Sequence, residues 1–270
     1  MRFILTTLAI LGSSTAVLAN DIVITGGRVI DPETGLDAIR NVAIEGDKIV
    51  AISEFPLEGD VVIDATGKVV SPGFIDMHSH GNNIGDYRMQ VIQGVTTALE
   101  LESGLSPVAD WYDGQAKKNL PMNYGASAGW IHSRIATFSE TDPLATVEYF
   151  TDAQGRTDWK MDIASPEQSE RIMSLVEQGL KDGAIGIGVN AGYAPGYGHK
   201  EYYALAELAK KYNVPTYTHV RYASNTEPQS SFEAIQELIS LAAITGAHMH
   251  LCHINSISMT DIKATMTLVE

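Results

Sequence analysis

Phe74-Ile75-Asp76-Met77-His78-Ser79-His80-Gly81 is the stretch on which the fold of this chain turns: a short apolar run ends in two histidines one residue apart and is stopped by glycine. Side chains alternate along a strand, so a strand over 73–78 sets Asp76, His78 and His80 on one face, where two imidazoles one pleat apart can hold one cation. An HxH pair alone is weak evidence and more often simply polar surface. Here it follows an apolar run and precedes a glycine, which places it at the carboxyl end of a strand, where parallel α/β folds collect their functional groups. Downstream the pattern repeats. Short apolar strands near 96–102, 123–130, 184–190, 215–220 and 248–254 alternate with helical patterns, the signature of βα units on a parallel sheet. Ser165 with Gln168 forms a capping box, Pro166 takes the first helical position, and Ile172, Leu175, Val176, Gly179 and Leu180 mark one face. Ser230 with Glu233 opens another helix carrying Ile235, Leu238, Ile239 and Ala242, which Gly246 closes. Six strands are legible, against the eight of a closed (β/α)8 barrel, so the first and sixth should keep unpaired edges.

Two further histidines end strands of the same kind. His219 closes Val214-Pro215-Thr216-Tyr217-Thr218, and His253 closes His250-Leu251-Cys252 one helix and one strand later. His248 and His250 have the opposite parity to His253, so His253 reads as the ligand and His250 as a hydrogen-bonded strand histidine. His132 and His199 read as ordinary loop residues, either within reach of a substrate. Two divalent ions held close together need an anionic bridge, and Glu100 and Glu102 share a face at the end of the second strand. A carboxylate in an apolar strand is costly unless paired or bound to a cation. Glu102, nearer the strand end, is the expected bridge, with Glu100 the alternative. The fourth strand, 184–189, holds no lysine, which excludes a bridging carboxylated lysine there.

Upstream the rhythm differs. From Asp21 to about Val70, Ile22-Val23-Ile24, Val42-Ala43-Ile44, Ile49-Val50-Ala51-Ile52 and Val61-Val62-Ile63 are separated by Gly26-Gly27, Gly46-Asp47 and Gly67, a small β module of sandwich type over 20–70. Before it, Arg2, the apolar run Phe3 to Leu11 and Val17-Leu18-Ala19 read as a signal peptide over 1–19, cleaved near Ala19. The mature chain is then expected in the periplasm or secreted, without stable membrane insertion. The 270 residues carry 33 acidic against 18 basic side chains, a formal net charge of −15 that repels nucleic-acid backbones. The single cysteine, Cys252, excludes an internal disulfide and reads as a buried strand thiol.

The run Val69-Val70-Ser71-Pro72-Gly73 into Phe74 to Gly81, preceded by Gly26-Gly27-Arg28-Val29-Ile30-Asp31-Pro32, resembles the amidohydrolase superfamily. Gly94-Val95-Thr96-Thr97, Tyr193-Ala194-Pro195-Gly196, His219-Val220-Arg221 and His253-Ile254-Asn255-Ser256 further resemble its N-acyl-D-amino-acid deacylase, or D-aminoacylase, branch. The resemblance implies an incomplete TIM-like (β/α)8 hydrolase barrel over 71–270. It implies one or two zinc ions, or another divalent metal, on His78, His80, His219 and His253, to which the reading of the second strand adds Glu102, and hydrolysis of a small-molecule amide to a carboxylate and an amine. Three departures carry expectations of their own. Glu102-Ser103-Gly104 stands where the family places a metal-binding cysteine. Asn255 and Ser256 stand where it places a basic residue, which shifts recognition of a substrate carboxylate to Arg221, helped by Tyr193. The family's catalytic aspartate, at the end of strand 8, is expected beyond Glu270. Two other readings stay open: a cyclic amide hydrolase like dihydroorotase or hydantoinase, against which the missing strand 4 lysine weighs, and a truncated, non-catalytic metal-binding fragment.

Overall fold

A computed structural model describes residues 20–81 and 83–270, in two compact units that divide between Pro72 and Gly73. The expected signal peptide, 1–19, lies outside the described residues. Among those described, no helix is long and apolar enough to cross a membrane.

The first unit is a five-stranded sheet of β1 (Asn20–Asp31), β2 (Leu36–Glu45), β3 (Lys48–Ser53), β4 (Gly59–Asp64) and β5 (Val69–Val70). The order is β3-β2-β1-β4, with β5 also on β1; β1, β2 and β3 run antiparallel in sequence, and β4 and β5 lie parallel to β1. Gly46-Asp47 turns β2 into β3, with Gly46 at φ +56°, a conformation that favours glycine. At Gly27 a Cβ would lie 2.5 Å from Val70 Cγ2, so the close approach of β5 requires glycine there.

The second unit holds six parallel strands in sequence order: β6 (Phe74–Asp76), β7 (Val95–Leu105), β8 (Asn123–Gly129), β9 (Ile187–Asn190), β10 (Thr216–His219) and β11 (Met249–Leu251). The helices are α1 (Ile84–Ile92), α2 (Val108–Ala116), α3 (Trp130–Ser139), α4 (Val147–Asp152), α5 (Asp158–Met161), α6 (Pro166–Lys181), α7 (His199–Tyr212), α8 (Ser231–Thr245), α9 (Ile254–Ser258) and α10 (Ile262–Val269). This is the six-stranded part of a TIM-like barrel. The capping box of α6 is closed at both ends, Gln168 N–H donating to Ser165 Oγ (3.2 Å) and Ser165 N–H to Gln168 Oε1 (2.9 Å). Its face of Ile172, Val176, Gly179 and Leu180 is buried, and a Cβ on Gly179 would meet Ala128 Cβ at 2.8 Å, which lets helix and sheet approach. Trp130, Trp159, Ile187, Val189 and Leu205 fill the main core between sheet and helices. In α8, Ser230 caps and Gly246 ends the helix at φ +65°.

The two outer strands are shorter than the sequence suggests. β6 stops at Asp76, so His78 and His80 lie in the loop beyond it. That loop is tied back by Ser79 N–H to the Leu99 carbonyl (3.1 Å) and by Gln90 Nε2 to Ser79 Oγ (2.8 Å). β11 stops at Leu251, and His253 turns into the left-handed region at φ +36°. The strand-parity argument for His253 therefore fails: a turn at the head of α9, rather than strand alternation, directs its ring.

Candidate metal centre

Strands four positions apart in a flat sheet would be roughly 19 Å apart, yet His253, beyond β11, hydrogen-bonds Glu102 of β7 at 3.0 Å. The sheet must curl for this to happen, and its curl gathers the carboxyl strand ends around one carboxylate. Glu102 is 3% exposed. Its Oε2 faces His78 Nε2 at 3.2 Å and His80 Nε2 at 3.1 Å; its Oε1 faces His219 Nδ1 at 2.6 Å and His253 Nε2 at 3.0 Å. One carboxylate thus stands between two pairs of imidazoles, one oxygen to each pair. Ligand atoms of His78, Glu102 and His253 lie within 4.8 Å of one another, the spacing a shared cation needs.

Burial alone would raise the Glu102 pKa, but hydrogen bonds from His219, His253, His78 and His80 outweigh it and hold the carboxyl far below its usual range. Glu100 occupies a different place. Both its oxygens face His80 Nδ1, at 2.9 and 3.0 Å. His80 therefore presents one nitrogen to each glutamate. Glu100 first, then Glu102, raise its pKa to about 10, so in the metal-free protein it carries a proton on each nitrogen. With a cation at Nε2, the Nδ1–H to Glu100 would remain. That is how outer carboxylates orient ligating histidines. Four imidazoles and one buried carboxylate, with Glu100 oriented to His80, are a donor set that fits a divalent ion of the zinc class.

A cavity of about 230 Å³ opens beside Glu102, lined by His80, Glu100, Leu105, Ile131, Phe150 and Tyr193 among others. Tyr193 follows β9 and packs edge-on against Phe150, 5.6 Å between ring centroids, and at a tilt against His219, 5.3 Å away. A Cβ on Gly192 would sit 2.7 Å from His219 Cδ2, so glycine is needed for this turn to pass the imidazole.

Arg221 is placed otherwise than the sequence suggests. It is buried, and its Nε and Nη2 donate to Glu237 of α8 at 3.0 and 2.7 Å, while Nη1 donates to the carbonyls of Pro195 (2.6 Å) and Tyr197 (2.8 Å). A guanidinium has five N–H donors, and four are committed here. Arg221 does not line the cavity beside Glu102. The sequence expects it to anchor a substrate carboxylate; in this structure it ties α8 to the loop after β9. Glu237 also meets the exposed His199 at Nδ1, 2.8 Å away, which holds His199 in that cluster and outside the lining of the cavity beside Glu102.

Of two further lining residues, Asn190 was overlooked in the sequence, and His132, read there as a loop residue within reach of a substrate, stands in a helix. His132 lies in α3 just after β8 and is buried; burial pushes its pKa down to about 4. Asn190 ends β9, its Nδ2 donating to Ser103 Oγ at 3.2 Å. The carboxyl-end rule that singled out His78, His219 and His253 applies equally to the ends of β8 and β9.

The amidohydrolase family model matches residues 61–268. An allantoinase from Enterococcus faecalis is 29% identical over 253 residues, 87% of this chain and 54% of its own length. A D-aminoacylase from Alcaligenes xylosoxydans xylosoxydans is 28% identical over 191 residues, 65% of this chain and 38% of its own. Among solved structures, an N-acyl-D-glutamate deacylase from Bordetella bronchiseptica, complexed with zinc and a phosphonate inhibitor, superposes with a TM-score of 0.73 at 19% identity, over 93% of this chain and 55% of that one. The likeness at that identity concerns the fold. The chain spans about half the length, or less, of these relatives.

Proposed function

Since the chain belongs to the amidohydrolase family, we propose that it supplies the metal centre of a hydrolase that cleaves carbon–nitrogen bonds in small amides. Zinc is the proposed metal, on His78 and His80 at one side and His219 and His253 at the other, with Glu102 between them. The observation that carries this reading is the one buried carboxylate with two imidazoles at each oxygen. A divalent cation bound there would lower the pKa of water and polarise the amide carbonyl. The chain's own residues do the rest of the work assigned here. Glu100 keeps the proton on His80 Nδ1, which leaves Nε2 free to ligate. Tyr193 and Phe150 form one wall of the cavity, where an acyl group would be held with water excluded.

Within this class, deacylation of an N-acyl-D-amino acid is the proposed reaction, with Tyr193 in contact with substrate. The support is chemical: the bridge is Glu102 from β7, and β9, Ile187-Gly188-Val189-Asn190, has no lysine to serve as one. Cyclic amide hydrolysis, in the manner of the allantoinase relative, is the second reading. Export follows as a further proposal, checked by whether the mature protein recovered from outside the cytoplasm begins at Asn20. The test of the metal centre is the zinc content of purified protein beside a His219→Ala/His253→Ala double variant. Loss of bound zinc is expected; unchanged zinc would end this assignment. Zinc-loaded protein is then assayed on N-acetyl-D-amino acids, dihydroorotate and hydantoin, and turnover of the cyclic amides alone would favour the second reading.

A further inference from the structure

The cavity beside Glu102 holds about 230 Å³, against the ~30 Å³ that one water molecule occupies in the liquid. A methyl group is about the size of that water, so an acetyl group would leave most of the cavity to solvent. The wall that this solvent would meet is largely carbon. Leu105 and Ile131 line it from the end of β7 and the start of α3. Phe150 stands among three other rings, Tyr193 at 5.6 Å, Trp159 at 6.3 Å and His132 at 6.4 Å between centroids, which hold it as a firm face. Water against such a face finds few partners, and its replacement by carbon is favourable. Among the described residues that line the cavity there is no lysine or arginine, while Glu100 and Glu102 bring negative charge. Of the three arms of an N-acyl amino acid, the free carboxylate would find no cationic side chain there.

We infer that this cavity is a subsite for a bulky apolar acyl group, aryl or branched aliphatic, in preference to acetyl, and that Phe150 sets the preference. The inference deepens the proposed function and rests on it for which part of the substrate points at Glu102. The acyl group is bonded directly to the carbonyl carbon under attack, so it is the arm that reaches a cavity beginning at Glu102. A phenyl ring placed there fills space that acetyl leaves to water and adds ring contacts to Phe150 and Tyr193.

N-phenylacetylglycine and N-acetylglycine are suitable probes because they differ only by a phenyl ring on the acyl methyl. Their dissociation constants from zinc-loaded protein, measured by titration calorimetry, should differ roughly 10- to 100-fold in favour of the phenylacetyl compound. N-acetyl-D-phenylalanine carries a ring on the other arm and should bind within about threefold of N-acetylglycine. Phe150→Trp narrows the cavity and Phe150→Ala removes its firm face. Each should bring the phenylacetyl-to-acetyl ratio towards one while N-acetylglycine binding stays within about threefold. Phe150→Trp keeps a ring among Tyr193, Trp159 and His132, and it decides the matter if Phe150→Ala fails to fold. Equal binding of the two N-acylglycines by the wild-type protein would overturn the inference. So would a ratio that the folded variants leave unchanged, a ring favoured only on the amino-acid arm, or a zinc-loaded protein that binds none of the probes. Zinc content is measured on the same samples: protein that holds no zinc would end the metal centre and this inference with it, whereas zinc-bearing protein without the preference would end the inference alone.

Discussion

Two buried carboxylates in this protein, Glu102 and Glu201, have almost the same exposure and opposite chemical futures. Glu201 of α7 accepts from Trp130 Nε1 at 2.7 Å and from Arg134 Nη1 at 2.6 Å. Arg134, fully buried, also donates from Nε to the Trp159 carbonyl and from Nη2 to the Asp162 carbonyl. Every partner in that network is a permanent donor, since neither indole nor guanidinium gives up its proton in the working range. Such a cluster can only hold α3, α5 and α7 together. Glu102 is surrounded instead by imidazoles, which can exchange a proton for a cation at the same nitrogen. The partner residues, not the buried charge, separate a structural ion pair from a reactive centre. Arg221 with Glu237 belongs with the first kind, which is why its guanidinium is not free for substrate.

The largest effect expected from breaking this contrast is on the structural side. Arg134→Met leaves Glu201 buried with a lost counter-charge and should lower stability by about 3–5 kcal/mol, read as a shift in the denaturant midpoint, while the fraction that remains folded binds zinc as before. A loss of zinc affinity in folded Arg134→Met would mean that the two clusters are not independent. On the other side, Glu102→Gln should weaken zinc binding by about 100-fold or more, beyond the usual effect of losing an outer partner. Competition with a chelator checks this, and retention of wild-type affinity would remove Glu102 from the centre.

His132 supplies a pH test between these extremes. Its folded pKa is depressed to about 4, against about 6.5 in an unfolded chain. The unfolded state therefore takes up a proton first as pH falls, so stability is fully present above about pH 6.5 and is lost as pH drops towards 4. The loss is at most roughly 3 kcal/mol, and it should be smaller in His132→Gln. Identical stability profiles from pH 7 to 4 in the two proteins would count against a neutral buried ring. The smallest effect is expected at Glu100: Glu100→Gln weakens the hold on His80 Nδ1 and should cost about 10-fold in zinc affinity. An effect as large as that of Glu102→Gln would make Glu100 a ligand.

What the sequence revealed of this arrangement follows the range of the forces involved. Caps and helical periodicity are local, so α6 and α8 are readable from Ser165, Gln168, Ser230 and Gly246. The alternation of short apolar strands with helical patterns marked β7 and β8, near 96–102 and 123–130, for the same reason. The histidines at 78, 80, 219 and 253 stood out by position in the βα pattern. The route by which they converge did not, because it depends on a loop after β6 held by Leu99 and Gln90 and on a left-handed turn at His253. The true partner of Arg221 lies on the next helix, at Glu237, and only folding brings the two together. His132 and Asn190 carried no motif, and their role as cavity wall comes from the depth at which β8 and β9 end.

The most direct measurement is anomalous diffraction at the zinc edge from crystals of the zinc-loaded protein. The account predicts density flanking the Glu102 carboxylate, between Oε2 and the His78/His80 pair or between Oε1 and the His219/His253 pair, or at both. Zinc found only elsewhere, or a Glu102 that keeps all four imidazole hydrogen bonds in the presence of saturating zinc, would contradict it.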